Sequence, residues 1–267
     1  MVAKKFLAKF PKVPSCMLGV ACQTENKCGK FSLDASNGPM AIQTIYAGNV
    51  FEIDVLTEID GIGTLEVYMG GVTKNKTNML AVYNAQTSAS YLPQQFKYPL
   101  KTYLLTRGKA SISITRDTDE FGKTKDFGRK GFIASTSYSQ LDDYQLAYGN
   151  ISAPNGFSSA KFKLRFINAD MTGITMMYIV GYQNGETVFE KDYNSTVLPD
   201  LNKDIFITGD RFEMVYDNSD FPYQQKISPT RGVYMTFEVI KNACSSNVEL
   251  FLVITLIFIG ALRFSDI

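Results

Sequence analysis

The chain has 267 residues, with 27 Lys and Arg against 26 Asp and Glu, a net charge of +1, and neither histidine nor tryptophan. The missing histidine excludes Ser-His-Asp and Cys-His nucleophile systems, His-ligated zinc and a histidine general base. The near-zero net charge excludes the cation excess with which a nucleic-acid binder displaces condensed counterions.

Residues 1–29 form a cysteine-containing N-terminal segment with Cys16, Cys22 and Cys28. Lys9, Pro11, Lys12 and Pro14 interrupt any apolar h-region between Met1 and Cys22, so the segment makes a poor signal peptide. The expectation is a recorded start that is incomplete or misassigned. Beyond it, apolar and polar residues alternate in Phe51–Leu56, Thr64–Met69, Ala110–Thr115 and Lys161–Phe166. Alternation of period two predicts strands with one buried face. Turn clusters are predicted at Asp60-Gly61-Ile62-Gly63, Asn184-Gly185 and Asp217-Asn218-Ser219-Asp220. Long helical periodicity is scarce, and the chain is predicted to be all-β, a sandwich or barrel.

Self-comparison reveals a repeat. At an offset of 101, Leu100 meets Leu201, Gly108 meets Gly209, Asp119 meets Asp220, and Lys130-Gly131 meets Arg231-Gly232. Upstream, Tyr83-Asn84 meets Tyr193-Asn194 at an offset of 110, and Gly70 meets Gly181 at 111. Ile112 and Ile114 alternate in the opposite phase to Phe212, Met214 and Tyr216 when the glycines are aligned, a slip that a one-residue bulge absorbs. The repeat predicts two domains, 30–140 and 150–240, joined near Gln140–Asp143 and Asn150–Gly156.

Each copy runs from a strand pair to a Tyr-Asn turn, then a Gly turn, a strand ending in an Asp-rich turn, and a basic-Gly-aromatic last strand. In the first copy these are Tyr83-Asn84, Arg107-Gly108, Arg116-Asp117 and Gly131-Phe132-Ile133-Ala134. In the second they are Tyr193-Asn194, Thr208-Gly209, Ser219-Asp220 and Gly232-Val233-Tyr234. This order resembles the CUB domain, an extracellular β-sandwich, and is most similar to nematode CUB-like secreted proteins, many linked to intestinal defence. The resemblance implies two tandem CUB-like antiparallel β-sandwich domains, jelly-roll-like in form. It departs from the CUB pattern in two respects: neither repeat contains a cysteine, and Asn stands at the Tyr-Asp position in both. Many CUB domains hold calcium through one Glu and two Asp. Here Asp217, Asn218 and Asp220 are the oxygen ligands within reach, and a solvated turn is the plainer reading. No cofactor is expected.

Residues 241–267 carry the sharpest local signal, the uncharged run Leu250–Leu262. As a helix it would span about 20 Å, against roughly 30 Å of bilayer hydrocarbon. It fits the hydrophobic tail of a glycolipid-anchor signal, with attachment expected at Ser245. A short transmembrane anchor and a buried terminal element are the alternatives. Cys16, Cys22, Cys28 and Cys244 permit three disulfide pairings, favoured if the chain is secreted. Sequons at Asn75, Asn150 and Asn194 lie in predicted loops or turns and are candidate glycosylation sites.

Catalytic motifs fail on inspection. Gly122-Lys123-Thr124 lacks the earlier glycine of a phosphate loop, since position 117 is Asp117. Asp126-Phe127-Gly128 has no His-Arg-Asp partner, and Ser158–Lys161 lacks the companion motifs of its class. Asp117, Asp119 and Glu120 crowd one turn rather than facing across a cleft. The charged segments Arg116–Lys130 and Phe221–Arg231 read as exposed contact loops. The expectation is a non-enzymatic binding protein, extracellular and either lipid-anchored or secreted, taking a protein or glycan ligand and no nucleic acid, with a part in host defence or intestinal surface recognition. A carbohydrate-active β-sandwich and a structural cross-linking module are the alternatives.

Overall fold

The computed structural model describes residues 16–21, 27–45, 53–72, 76, 78–84, 86–98, 100–136, 138–139, 142, 144–218 and 229–242. Almost all of its ordered structure is β, as the alternation predicts. The strands are β1 (Cys16–Ala21), β2 (Lys27–Asp34), β3 (Met40–Ile45), β4 (Ile53–Met69), β5 (Met79–Tyr83), β6 (Gln94–Lys97), β7 (Leu100–Thr115) and β8 (Lys130–Ala134). They continue with β9 (Leu146–Ser152), β10 (Ala160–Ala169), β11 (Met176–Gln183), β12 (Glu186–Asn194), β13 (Ile205–Gly209), β14 (Arg211–Asp217) and β15 (Val233–Ile240). Two short helices, α1 (Ser88–Tyr91) and α2 (Thr118–Gly122), interrupt them.

The first sheet is built on one long antiparallel ribbon, β4 against β7. The first half of β7 pairs with β3 and the second with β2, while β4 carries β6 at one end and β5 at the other. Both halves of the ribbon feed one core: Leu56 and Ile112 from one, Val67 and Leu105 from the other, together with Leu33, Ile42 and Phe96. The ribbon therefore folds over on itself. Its midpoint is the Gly63–Gly108 pair, next to Gly61. Gly108 has φ +82°, and a side chain there would collide with the Ile62 carbonyl. So Asp60-Gly61-Ile62-Gly63, predicted as a turn, lies inside β4: the glycines bend a continuous strand rather than end it.

The second unit is a sandwich of two four-stranded antiparallel sheets, β13-β10-β15-β8 and β12-β11-β14-β9. Strict alternation in β10, β14 and β15 sends Phe162, Leu164 and Phe166, Phe212, Met214 and Tyr216, and Met235, Phe237 and Val239 into one core. Asn184-Gly185 closes the β11–β12 hairpin with both residues at positive φ, the backbone of a type I′ turn.

The strand neighbours repeat. The order β2-β7-β4-β5 recurs as β9-β14-β11-β12. The phase slip between Ile112 and Phe212 also has an origin. β7 continues as one strand through Gly108, whereas the second copy leaves β13 at Gly209 and enters a different sheet at Arg211. That corner resets the inward parity.

The expected boundary at 140–150 does not follow the sheets. β8, the last strand of the first copy, pairs with β15 of the second. The reason is that β8 is buried on both faces: Phe132 joins the first core and Ile133 the second. Gln94 of β6 clamps β8 further. Its Nε2 donates to the Phe132 carbonyl at 2.8 Å, and its Oε1 accepts from the Phe132 N–H at 3.1 Å. The edge formed by β8 and β9 is thus covered by the first unit, while β12 and β13 stand at the open edge.

Candidate functional site

The outward face of β9-β14-β11-β12 concentrates exposed aromatics. The pairing register sets Tyr148, Val215, Tyr178 and Asp192 in one row across the four strands. Asn150, Glu213, Val180 and Glu190 make the next row, and Ser152, Arg211, Tyr182 and Thr187 the one after. Tyr148 and Tyr178 are 44% and 41% exposed and flank Val215. Two strand spacings place their origins about 10 Å apart. Met176, 65% exposed, extends the patch along β11.

Polar groups border these rings. The Arg211 guanidinium lies 4.3 Å from the Tyr182 ring centroid. Asn150 Nδ2 donates to Glu213 Oε1 at 3.4 Å. Lys97, at the end of β6, donates to the Tyr148 carbonyl at 3.2 Å with its ammonium 5.8 Å from the Tyr148 ring. Burial, and then the Glu213 carboxylate, raise both the Tyr148 and Tyr178 phenols above their ordinary range. Flat aromatic faces beside carboxylate, amide and guanidinium groups are recognition chemistry.

The expected contact loop Arg116–Lys130 is exposed along much of its length but anchored at three points. Phe121, Thr124 and Arg129 are buried. Arg129 donates from Nη1 to the Lys123 carbonyl at 2.8 Å and from Nη2 to the Phe121 carbonyl at 2.6 Å and the Pro93 carbonyl at 2.9 Å. Its guanidinium also sits 5.5 Å and 5.3 Å from the Phe121 and Phe237 rings. One buried cation thus staples the segment onto the β6 turn. Asp119, Lys123, Lys125 and Asp126 keep the solvent-facing character that the charge density suggested, while Phe121 and Arg129 anchor the segment from beneath. In Phe221–Arg231, residues 221–228 lie outside the described residues.

Asn150 is in strand β9, not in a loop, with its side-chain amide turned to Glu213. Asn194 ends β12, exposed, with its Oδ1 accepting from Thr196 N at 2.8 Å and Thr196 Oγ1 at 2.7 Å. Asn218 is buried and accepts from Thr175 Oγ1 at 2.7 Å, which removes it from any solvent-facing ligand set. Among the described residues no group of three or more Asp, Glu or Cys comes together to hold a metal. Asn75, Asp220, Cys22, Cys244, Ser245 and the 250–262 run lie outside the described residues, as do the side chains of Cys16 and Cys28.

Sequence alternation alone missed the tyrosine face. Leu146–Tyr148 and Met176–Val180 are continuous apolar runs in sequence, and only strand pairing reveals that Tyr148 and Tyr178 share an outward row.

Residues 15–117 match a family model described as a domain of unknown function, DUF7591. No curated protein matches the sequence. Among solved structures, the chain is similar to the CUB1-EGF-CUB2 domain of human MASP-1/3, at 11% identity and a TM-score of 0.29, covering 79% of this chain and 99% of that one. It is similar to a cycloalternan-forming enzyme from Listeria monocytogenes at 13% identity and a TM-score of 0.22, covering 78% of this chain and 19% of the enzyme. It is also similar to the VP2 subviral particle of infectious bursal disease virus at 12% identity and a TM-score of 0.20, covering 81% of this chain and 71% of that one. Likenesses this distant carry no argument about function.

Proposed function

We propose that this chain is a non-enzymatic recognition protein, CUB-like in the manner of nematode CUB-like secreted proteins. It acts outside the cell, tethered through its apolar C-terminal segment, in surface recognition or defence. The observation that supports it best is the row Tyr148-Val215-Tyr178, two exposed rings held by register on a rigid sheet. Rigid aromatic side chains give contact area at little cost in conformational entropy. The ligand is a protein or glycan laid flat on that face, with Glu213, Arg211 and Asn150 supplying hydrogen bonds.

The test is a panel of glycans and extracellular proteins probed with the full chain displayed on cells. The Tyr148→Ala/Tyr178→Ala double variant is expected to lose the ligand while keeping its thermal midpoint. Undiminished binding by that variant would overturn the assignment. Release of the displayed chain by a phospholipase specific for glycolipid anchors tests the tether in the same experiment, and a chain that stays cell-bound after that treatment refutes it.

A further inference from the structure

The opposite face of the same sandwich has a different character. On the outside of β13-β10-β15-β8, the register sets Phe206, Lys163, Glu238 and Lys130 in one row. Lys161 and Arg165 flank Lys163 on β10. Where α1 meets this face there is a groove of about 270 Å³, lined by Tyr91, Lys130, Lys163, Arg165, Asp204 and Glu238 among others.

The charges on this face do not balance. Lys163 and Arg165 share the single carboxylate of Asp204, at 3.2 and 2.8 Å. Lys130 reaches Glu238 at 3.5 Å. Lys161 lies 4.4 Å from the Phe206 ring centroid. Four cations thus meet two carboxylates. The carboxylates are the less exposed partners, with Asp204 at 20% and Glu238 at 33% against 37% for Lys163, 44% for Lys130 and 47% for Arg165. The cations are therefore the more accessible groups of this face. Cations alternate along β10 at roughly 7 Å, and Lys163 and Lys130 stand two strand spacings, about 10 Å, apart.

We propose that this groove binds an anionic polysaccharide, whose sulfate or carboxylate groups engage Lys130, Lys163 and Arg165. The match is one of charge and spacing. A linear sugar polymer carries its anionic groups at intervals comparable to this grid, and a bound anion restores the local balance that Asp204 and Glu238 leave short. The three or four cations are too few for the many-phosphate engagement on which a nucleic-acid binder depends. This site is independent of the tyrosine face, because the two lie on opposite sides of one sandwich and share no residue.

The test uses the full chain and heparin as the probe, with affinity measured at several salt concentrations. The chain is expected to bind heparin. Lys130→Gln/Lys163→Gln should weaken binding on the order of tenfold and make the logarithm of affinity less steep against the logarithm of salt, as two charge contacts are lost. Asp204→Asn should tighten binding, since it frees two cations. Lys123→Gln/Lys125→Gln removes the same charge from a different surface and should change nothing. Thermal midpoints show which variants remain folded, and Asp204→Asn gives an independent readout of opposite sign if the lysine pair fails. Equal losses from the two lysine pairs, or no loss from Lys130→Gln/Lys163→Gln, would overturn the proposal. So would equal binding to fully desulfated, uncharged dextran. A polyuronate that competes as well as heparin assigns the recognition to carboxylates, and failure to compete assigns it to sulfates. Anionic lipid vesicles or single-stranded DNA that bind as tightly, with the same variant dependence, would overturn a polysaccharide site.

Discussion

Asn84 and Asn194 build the same turn in two places. Each follows a buried tyrosine, Tyr83 or Tyr193, at the end of the outer strand of a hairpin. Asn84 Oδ1 accepts from the N–H groups of Gln86 and Thr87 at 2.9 and 3.1 Å, and from Thr87 Oγ1 at 3.2 Å. Asn194 Oδ1 accepts from the N–H groups of Thr196 and Val197 at 2.8 and 2.9 Å, and from Thr196 Oγ1 at 2.7 Å. The hydroxyl lies at a different offset in each, but the carbonyl oxygen captures the same two amides. An aspartate could make these bonds as well, so Asn in both copies keeps the turn while leaving no charge there.

Replacing either Asn by Ala removes the acceptor for two amides. Each substitution should cost about 1–2 kcal/mol, measured as a lower urea midpoint with an unchanged slope. The two costs should add, because the turns belong to different cores. If the chain passes through a glycosylating compartment, Asn194 should carry glycan and Asn150, held in strand β9, should not. The mass shift on deglycosylation of Asn194→Gln and Asn150→Gln variants checks this.

The first core contains an ion pair with no access to water. Lys101 Nζ lies 3.3 Å from Asp54 Oδ2, and both side chains are 0% exposed. The same oxygen accepts from Thr44 Oγ1 at 2.7 Å and Tyr103 OH at 3.0 Å. Breaking such a pair from one side strands a charge in low dielectric. Lys101→Met or Asp54→Leu alone should cost about 3–5 kcal/mol, while the double variant should recover much of that loss. Urea unfolding of the four proteins measures the coupling, and additive losses would contradict it.

The sequence revealed the strands more fully than their arrangement. Lys161–Phe166 and Ala110–Thr115 read as half-buried strands because their alternation is local, and they are. The Asn184-Gly185 hairpin is equally local, a matter of two residues that tolerate positive φ. Asp60–Gly63 read as a turn because glycine favours both a reversal and a close approach. Only the partner strand, with the Ile62 carbonyl against Gly108, distinguishes the two. The tyrosine row and the cationic groove were hidden for the same reason. Tyr148 and Tyr178, or Lys130 and Lys163, are brought side by side by pairing between distant segments, which no single strand's pattern contains. The Arg129 staple was hidden too, since within a charged stretch whose other charges do face solvent, one arginine is bound by carbonyls instead.

Lys97 gives a pH signature. Burial lowers its ammonium from the ordinary 10.5 to about 8. Between those values the unfolded chain keeps a proton that the folded chain has released, so this group makes stability rise with pH across that window. Below pH 8 both states are protonated, and the folded state bears the full cost of the half-buried charge. Lys97→Met should therefore gain thermal midpoint over the parent at pH 7, and the gap should narrow by pH 10. A gap that widens with pH would contradict the assignment. With about half of its amine neutral at pH 8, Lys97 should also be modified by acylating reagents ahead of exposed lysines such as Lys109.

β8 predicts how the chain unfolds. Its Phe132 packs 5.8 Å from the Phe96 ring centroid in the first core, and its neighbour Ile133 packs in the second. The backbone of the same strand pairs with β15, and Gln94 holds Phe132 from β6. Neither unit can release this strand without exposing apolar surface and unpaired amides in the other. Heat or urea should therefore produce one cooperative transition, with probes placed in either sandwich reporting the same midpoint. Phe132→Ala should cost about 3–5 kcal/mol and shift both probes together. A fragment beginning at residue 145 lacks β8 and the covering β6, and it should expose the β15 edge and associate or remain unfolded. Two separate transitions, or a folded monomeric 145–242 fragment, would show that the repeat makes two independent domains and that β8 is only an ornament on the second.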